Sequence, residues 1–175
     1  AGNLPRETRL RLWEISGNLK RLCALNYPAI LELRRPGRDS VLYVLLRKVK
    51  NDRAVVTALK DVSLSLSELN GLWYGHAFVL WKDFEDFPRV ISPGTSSLTV
   101  IWLQHNLKFL RLLDGPVSGT YDDLTREAVM RLQRQKGLAV DGVVGPETIM
   151  VLYSLLHVYS KPALLGEEEE RIPAP

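Results

Sequence analysis

Apolar residues at Leu12, Ile15, Leu19 and Leu22 fall three or four apart, the spacing of one helical face, and predict a helix over residues 10–25 that Asn26, Tyr27 and Pro28 end. After it the period shortens. Residues 29–33 are a short apolar run, residues 35–40 carry Pro36 and Gly37 as turn chemistry, and residues 41–49 are a longer run of Val, Leu and Tyr. Asn51, Asp52 and Arg53 then connect into residues 54–59, a hairpin partner, so the expected arrangement is an antiparallel meander. Ser65 and Glu68 form a Ser-x-x-Glu capping box for a short helix ending near Asn70 and Gly71. A further strand is expected over residues 76–81, with Trp73 and Trp81 in the core.

Residues 82–97 read as loop, with Pro88, Pro93, Gly94 and a Thr-Ser-Ser run, and a domain boundary is placed there. From Ser97 onward the pattern becomes helical: Val100, Leu103, Leu107 and Leu110, then Leu124, Ala128 and Leu132, then Ile149, Leu152 and Leu156. The last stretch combines a four-Glu run with Pro162, Pro173 and Pro175 and offers little to bury. The expected fold is α+β in three parts: a small antiparallel sheet with helices over residues 1–92, three helices over residues 93–160, and a disordered tail over residues 161–175.

Composition narrows the function classes. At 175 residues, with 46% apolar and 25% charged residues, the chain has the make-up of a folded globular protein. Charge is uneven: residues 1–92 hold 15 Lys/Arg against 10 Asp/Glu, residues 93–160 hold six of each, and the tail holds two against four. The basic residues are spread along the first half rather than interleaved with aromatics on one face, so nucleic acid is not expected as a partner. Cys23 is the only cysteine, which rules out an internal disulfide and leaves the redox compartment open. The longest apolar run, residues 41–46, is far short of the roughly 20 residues that span a bilayer, and the first residues lack the basic start and following apolar stretch expected of a signal peptide. The abrupt start at Ala1 fits a soluble piece of a longer, membrane-anchored protein.

The strongest local signal is an internal repeat. Gly119-Thr-Tyr121-Asp122-Asp-Leu-Thr125 and Gly142-Val-Val144-Gly145-Pro146-Glu-Thr148 share one pattern, and each precedes a helix. Glycine permits a tight turn, Tyr121 or Val144 inserts as a hydrophobic staple, Asp122 or Gly145 takes the cap, and Pro146 suits a first helical position. Val100, Leu103 and Gln104, then Gly119, Tyr121, Asp122, Thr125, Ala128, Val129, Leu132 and Gln133, then Gly137, Leu138, Asp141, Gly142, Gly145 and Thr148 complete a wider pattern. Over about residues 97–157 the chain thereby resembles the three-helix peptidoglycan-binding domain family. It departs in having Leu132 where phenylalanine is usual and Asp122 where glycine is commoner.

The first half is similar to the C-terminal half of the papain-like, bacteriocin-processing peptidases of ABC exporters, on Asn26-Tyr27-Pro28-Ala29-Ile30-Leu31, a hairpin, a Ser-Leu-Ser-Glu-Leu helix and Leu72-Trp73-Tyr74-Gly75. The strand that would open with that family's catalytic histidine, from Asp39 to Val44, contains none. The stretch that would give the aspartate reads Thr57-Ala58-Leu59-Lys60, and Cys23 lies too close to Pro28 to be the usual nucleophile. The half therefore reads as degenerate, with no catalytic residues. The whole order is similar to the periplasmic C-terminal region of the general secretion pathway protein A family. That resemblance implies a wall-binding, periplasmic fragment of an inner-membrane-anchored protein that helps to place the type II secretion secretin. Peptidoglycan would be its partner, with the secretin or other secretion proteins as further partners. The chain has no phosphate-loop motif, so an ATPase half is not in it.

A muropeptide presents amides, carboxylates and N-acetyl groups that demand paired hydrogen bonds. Tyr121, Asp122, Arg126, Gln133 and Asp141 flank the repeated turns and are the candidate ligand-binding residues, with Arg126 suited to a stem-peptide carboxylate. Asp122, Thr125 and Asp141 equally suit caps and turns. His76, His105 and His157 are too scattered to predict a metal site, and no cofactor is expected. Two rival readings stand beside wall attachment: a cell-wall hydrolase or peptidase whose catalytic part either rests on Cys23, with His76 as its base, or lies outside this sequence, and a protein scaffold without glycan affinity.

Overall fold

The computed structural model describes residues 9–34, 37 and 40–165. The chain divides into two compact units, one comprising Ala1–Lys82 with Ser160–Pro175 and the other Asp83–Tyr159.

Among the described residues the first unit is a six-stranded antiparallel sheet with two short helices. Its strands are β1 (Leu10–Ser16), β2 (Ala29–Arg34), β3 (Val41–Lys50), β4 (Arg53–Thr57), β5 (Asp61–Ser65) and β6 (Trp73–Lys82), in the order β1-β6-β2-β3-β4-β5. The meander β2 to β5 follows the alternation of its sequence. Leu31, Val44, Leu46, Ala54, Val56, Ala77 and Val79 turn to one face and are buried; of the two helices, α1 (Leu19–Leu25) and α2 (Leu66–Leu72), α2 packs against β4, β5 and β6. Ser65 caps α2 with the full capping box, its Oγ accepting from Glu68 N at 3.1 Å while Glu68 Oε2 accepts from Ser65 N at 2.8 Å.

The helix expected over residues 10–25 is instead β1 followed by α1. Gly17 and Asn18 separate them: Gly17 N donates to Gly75 O at 2.8 Å, and Asn18 Oδ1 accepts from Arg21 N at 3.0 Å as the cap of α1. Ile15 is buried while Leu12 is exposed, so the apolar spacing that imitated a helix is split between a sheet face and a helix face. Gly75 sits at φ +91°, and a Cβ there would collide with the Gly17 carbonyl oxygen. That close approach explains the Trp73-Tyr74-Gly75 opening of β6, where Trp73 Nε1 also donates to His76 O at 2.7 Å.

The second unit holds α3 (Leu98–Phe109), α4 (Asp123–Lys136) and α5 (Pro146–Leu155). It begins at Asp83 rather than at residue 93, because residues 83–92 pack onto these helices instead of forming a linker. Asp83 is fully buried and accepts from Tyr153 Oη at 2.8 Å and Phe87 N at 3.0 Å. Burial, with the Asp83 carboxylate beside it, pushes the Tyr153 hydroxyl upward, so it stays a protonated donor. Phe84, Phe87, Trp102, Tyr153 and Tyr159 form an aromatic cluster, with Phe87 edge-on to Trp102 at 4.7 Å. Ile91 is buried and exchanges both backbone hydrogen bonds with Val144.

Of the tail expected to be disordered, residues 161–165 are packed onto the first unit, and residues 166–175 lie outside the described residues. Leu164 is completely buried, which the proline- and glutamate-rich composition around it conceals.

Candidate functional site

The repeated turns of the second unit are organised by two buried glutamines. Gln104 on α3 accepts from Gly119 N at 2.8 Å through Oε1, while its Nε2 donates to Thr125 Oγ1 at 2.8 Å and Thr120 O at 2.9 Å. Gln133 on α4 repeats the device. Its Oε1 accepts from Gly142 N at 2.9 Å and Asp141 N at 3.1 Å, and its Nε2 donates to Asp141 Oδ1 at 2.8 Å and Val143 O at 2.9 Å. The closing threonines match too, since Thr125 and Thr148 are both buried and each meets its glutamine. A primary amide suits this task because it offers acceptor and donors on one planar group, satisfying a turn's amides and carbonyls together.

The glycines of the two turns, Gly119 at φ +73° and Gly142 at φ +68°, adopt the left-handed conformation that side chains disfavour. Each is roofed by the residue three before its glutamine, Ile101 in the first repeat and Met130 in the second. Arg126 joins Met130 over Gly142: a Cβ at Gly142 would lie 2.8 Å from Arg126 Cγ. Tyr121 ties the repeats together, its buried hydroxyl donating to Gly142 O at 2.9 Å, and burial raises its ionisation well above the ordinary tyrosine range.

All five candidate residues therefore converge on one lobe, in different roles. Tyr121 and Gln133 are buried, with their hydrogen bonds directed into the turns. Asp122 caps α4: its Oδ1 accepts from Thr125 N at 2.8 Å and Thr125 Oγ1 at 2.6 Å, and these bonds hold its carboxyl below the usual range. Asp141 is exposed, and its Oδ1 also accepts from Val143 N at 2.8 Å. Arg126 is exposed, with its stem across the Gly142 turn. Gln104, which the sequence reading does not single out as a ligand-binding candidate, has the same geometry as Gln133. The signal for it is a Leu-Gln pair preceding each Gly-containing turn.

In the first unit His76 is held by two carboxylates on the sheet surface, Nδ1 at 2.8 Å from Glu32 Oε2 and Nε2 at 2.8 Å from Glu14 Oε1. Arg34 grips the other oxygen of Glu32 at 2.7 Å. These partners raise the His76 ionisation, while the Arg34 and His76 hydrogen bonds lower that of Glu32. Both ring nitrogens are thus engaged by glutamates, so His76 is not arranged as a base for a thiol, and Cys23 is half-buried on α1. Among the described residues no group of three or more His, Cys, Asp or Glu is placed to hold a metal ion, and no helix is long and apolar enough to cross a membrane.

Residues 96–152 match the family described as "Putative peptidoglycan binding domain". Over 159 residues, 90% of this chain, the sequence is 26% identical to "Putative general secretion pathway protein A" of Escherichia coli K12, covering 32% of that protein. Over 72 residues it is 42% identical to "N-acetylmuramoyl-L-alanine amidase CwlM" of Mycobacterium tuberculosis, covering 40% of this chain and 18% of the amidase. The chain thus spans a third or less of these curated relatives. A periplasmic domain of the EpsAB fusion protein of the Vibrio vulnificus type II secretion system shares the fold, with a TM-score of 0.51 at 23% identity, over 91% of this chain and 70% of that one. The chain is thus similar over most of its length to general secretion pathway protein A, and residues 96–152 of its second unit match a peptidoglycan-binding domain model.

Proposed function

We propose that the chain attaches to peptidoglycan without cleaving it, and that this attachment positions a type II secretion complex, its secretin included, in the periplasmic cell wall. The observation that carries the reading is the coincidence of the matched residues 96–152 with the two glutamine-clamped turns and the exposed Arg126 over them. Preorganised turns suit a weak, polar ligand, because little ordering is lost when a muropeptide docks. In this reading Arg126 pairs with a stem-peptide carboxylate, Asp122 and Asp141 border the contact, and Tyr121 and Gln133 are positioning residues beneath it. Similarity to general secretion pathway protein A supports the secretion context, and in this reading the chain is the periplasmic part of an inner-membrane-anchored protein. The engagement of both His76 nitrogens by glutamates supports the non-catalytic character.

The test is titration of the isotope-labelled chain with soluble muropeptides, followed by amide chemical shifts. The expected perturbations lie at Gly142, Val143 and the first turn of α4, and Arg126→Ala abolishes them while the melting temperature is unchanged. Shifts confined to the first unit, or none at millimolar ligand, would overturn the assignment.

A further inference from the structure

The core face of the first unit's sheet is not covered out to its rim. Val62 and Leu64 of β5 stand directly opposite Val56 and Ala54 of β4, and Leu42 of β3 stands opposite Leu33 of β2. Ala54, Val56 and Leu33 are buried, so their cross-strand partners share the core face, yet Leu42 is 49% exposed and Val62 41%. A cavity of about 620 Å³ opens at this place, lined by Leu33, Leu42, Val44, Val56, Leu64 and Leu72, by Val62, and by Ala58, Leu59 and Lys60 of the β4–β5 turn. Leu59 is wholly exposed. Exposed apolar side chains that line one cavity form a patch rather than scattered positions, and a cavity of this size has room for a ligand.

The same strand lies at the edge of the sheet. β5 pairs with β4 on one side and with no other strand among the described residues, so its second row of backbone N–H and C=O groups is a template for a further strand. A peptide laid along that edge would set alternate side chains on the face that carries Val62 and Leu64, beside the cavity. One extended segment can therefore use both features, main-chain hydrogen bonds along β5 and an apolar side chain in the cavity, whereas an acyl chain would use the cavity alone. Charge narrows the occupant further. Among the described residues that line the cavity, the ionisable ones are Arg34 and Lys60, both cations, with no carboxylate. The Arg34 guanidinium grips Glu32 at 2.7 Å, so the exposed Lys60 is the cation that a ligand meets, in a half of the chain that holds 15 Lys/Arg against 10 Asp/Glu. An acidic segment complements this surface and a basic one does not.

We propose that β5 and the adjoining cavity bind an extended, apolar and acidic segment of a partner protein as an added strand, with an apolar side chain in the cavity and a carboxylate at Lys60. Val62 and Leu59 supply the apolar contact, the β5 main chain supplies the register, and Lys60 selects the charge. The site is independent of the peptidoglycan reading, since it lies in the first unit and the matched residues 96–152 lie in the second. One chain thereby offers a protein-binding edge on one unit and a wall-binding lobe on the other.

Short random peptides displayed on phage and selected against the full-length chain test this, in an assay that contains no wall material. The enriched peptides should alternate apolar with polar residues and carry net negative charge, and a fluorescein-labelled synthetic copy should bind the wild-type chain saturably. Val62→Asp and Leu59→Ser should each weaken that binding by about tenfold, because each removes an apolar contact. Lys60→Glu should weaken it similarly by setting like charges together. Methylating a peptide nitrogen that bonds to the β5 edge should cost about tenfold, while methylating its neighbour, which faces away, should not. Leu59 is wholly exposed, so Leu59→Ser keeps the fold and the test stands even if Val62→Asp melts early. A selection that enriches nothing, or peptides that bind Leu59→Ser and Val62→Asp as tightly as wild type, overturns the site. Indifference to methylation at every peptide nitrogen overturns strand addition, and saturable binding of lauric acid without any enriched peptide overturns the protein segment as occupant in favour of an acyl chain.

Discussion

The clamp on the second turn makes a quantitative demand on Gln133. Gln133→Leu keeps nearly the same side-chain shape but removes Oε1 and Nε2, leaving the amides of Gly142 and Asp141 without their acceptor and the Val143 carbonyl without its donor. A buried backbone group stripped of its partner costs about 1–3 kcal/mol. Gly142 is buried and bears that cost in full, whereas Asp141 is exposed and water recovers part of its loss. The net expectation is about 2–4 kcal/mol, or roughly 10–25 °C in the melting temperature of a unit this size. Calorimetry gives the shift, and amide hydrogen exchange locates it: Gly142 should lose protection first. Gln133→Glu keeps the acceptors but turns a carboxylate toward Val143 O and Asp141 Oδ1, so the stability it loses relative to the wild-type chain should be larger at pH 7 than at pH 4. A Gln133→Leu chain that melts within about 2 °C of wild type, with Gly142 still protected, refutes the claim that the amide holds the turn.

Gly75→Ala should destabilise the first unit by about 2–4 kcal/mol, because it combines a disfavoured φ with a clash against the Gly17 carbonyl; urea titration followed by tryptophan fluorescence measures it. His76 gives a pH signature. Its folded-state ionisation is raised above the ordinary value of 6.5, so its stabilising contribution is complete below that pH and is lost as pH rises through the higher folded value. The stability advantage of wild type over His76→Asn should accordingly be larger at pH 6 than at pH 9, and an equal difference at both would remove the His76–glutamate clamp from the account. Glu32 works in the opposite sense: its ionisation is lowered, so its contribution is present above the ordinary 4.5 and falls away as acid titrates it, which Glu32→Gln should abolish in an acid-unfolding curve.

The second unit is legible in the sequence because each of its helices announces itself twice, by apolar spacing and by a cap. Asp122 and Gly145 stand where the repeat puts them, and Pro146 opens α5. The first unit is less so. The run Asp61–Ser65 alternates Val62 and Leu64 as a strand should, yet the capping box at Ser65 draws the eye to the helix that follows, and β5 goes unread. The docked segment around Leu164 is hidden by its glutamates and prolines, since composition averages over the one residue that is buried. Phe84, Phe87 and Ile91 are similarly lost in a stretch whose prolines read as a linker. At the candidate site the sequence points to the residues but mixes their roles. Tyr121 and Gln133 bond to backbone atoms of a turn, and a hydrogen bond to the main chain leaves no periodicity to read.

The central claim is that this chain holds peptidoglycan without cutting it, and incubation with purified insoluble sacculi tests it most directly. After centrifugation, protein in the pellet and soluble muropeptides in the supernatant are both measured. The account predicts wild-type protein in the pellet, no release of muropeptides, and little pelleting of Arg126→Ala at an unchanged melting temperature. Released muropeptides would contradict it in favour of a hydrolase, and wild-type protein left entirely in the supernatant would contradict it in favour of a scaffold with no affinity for the wall.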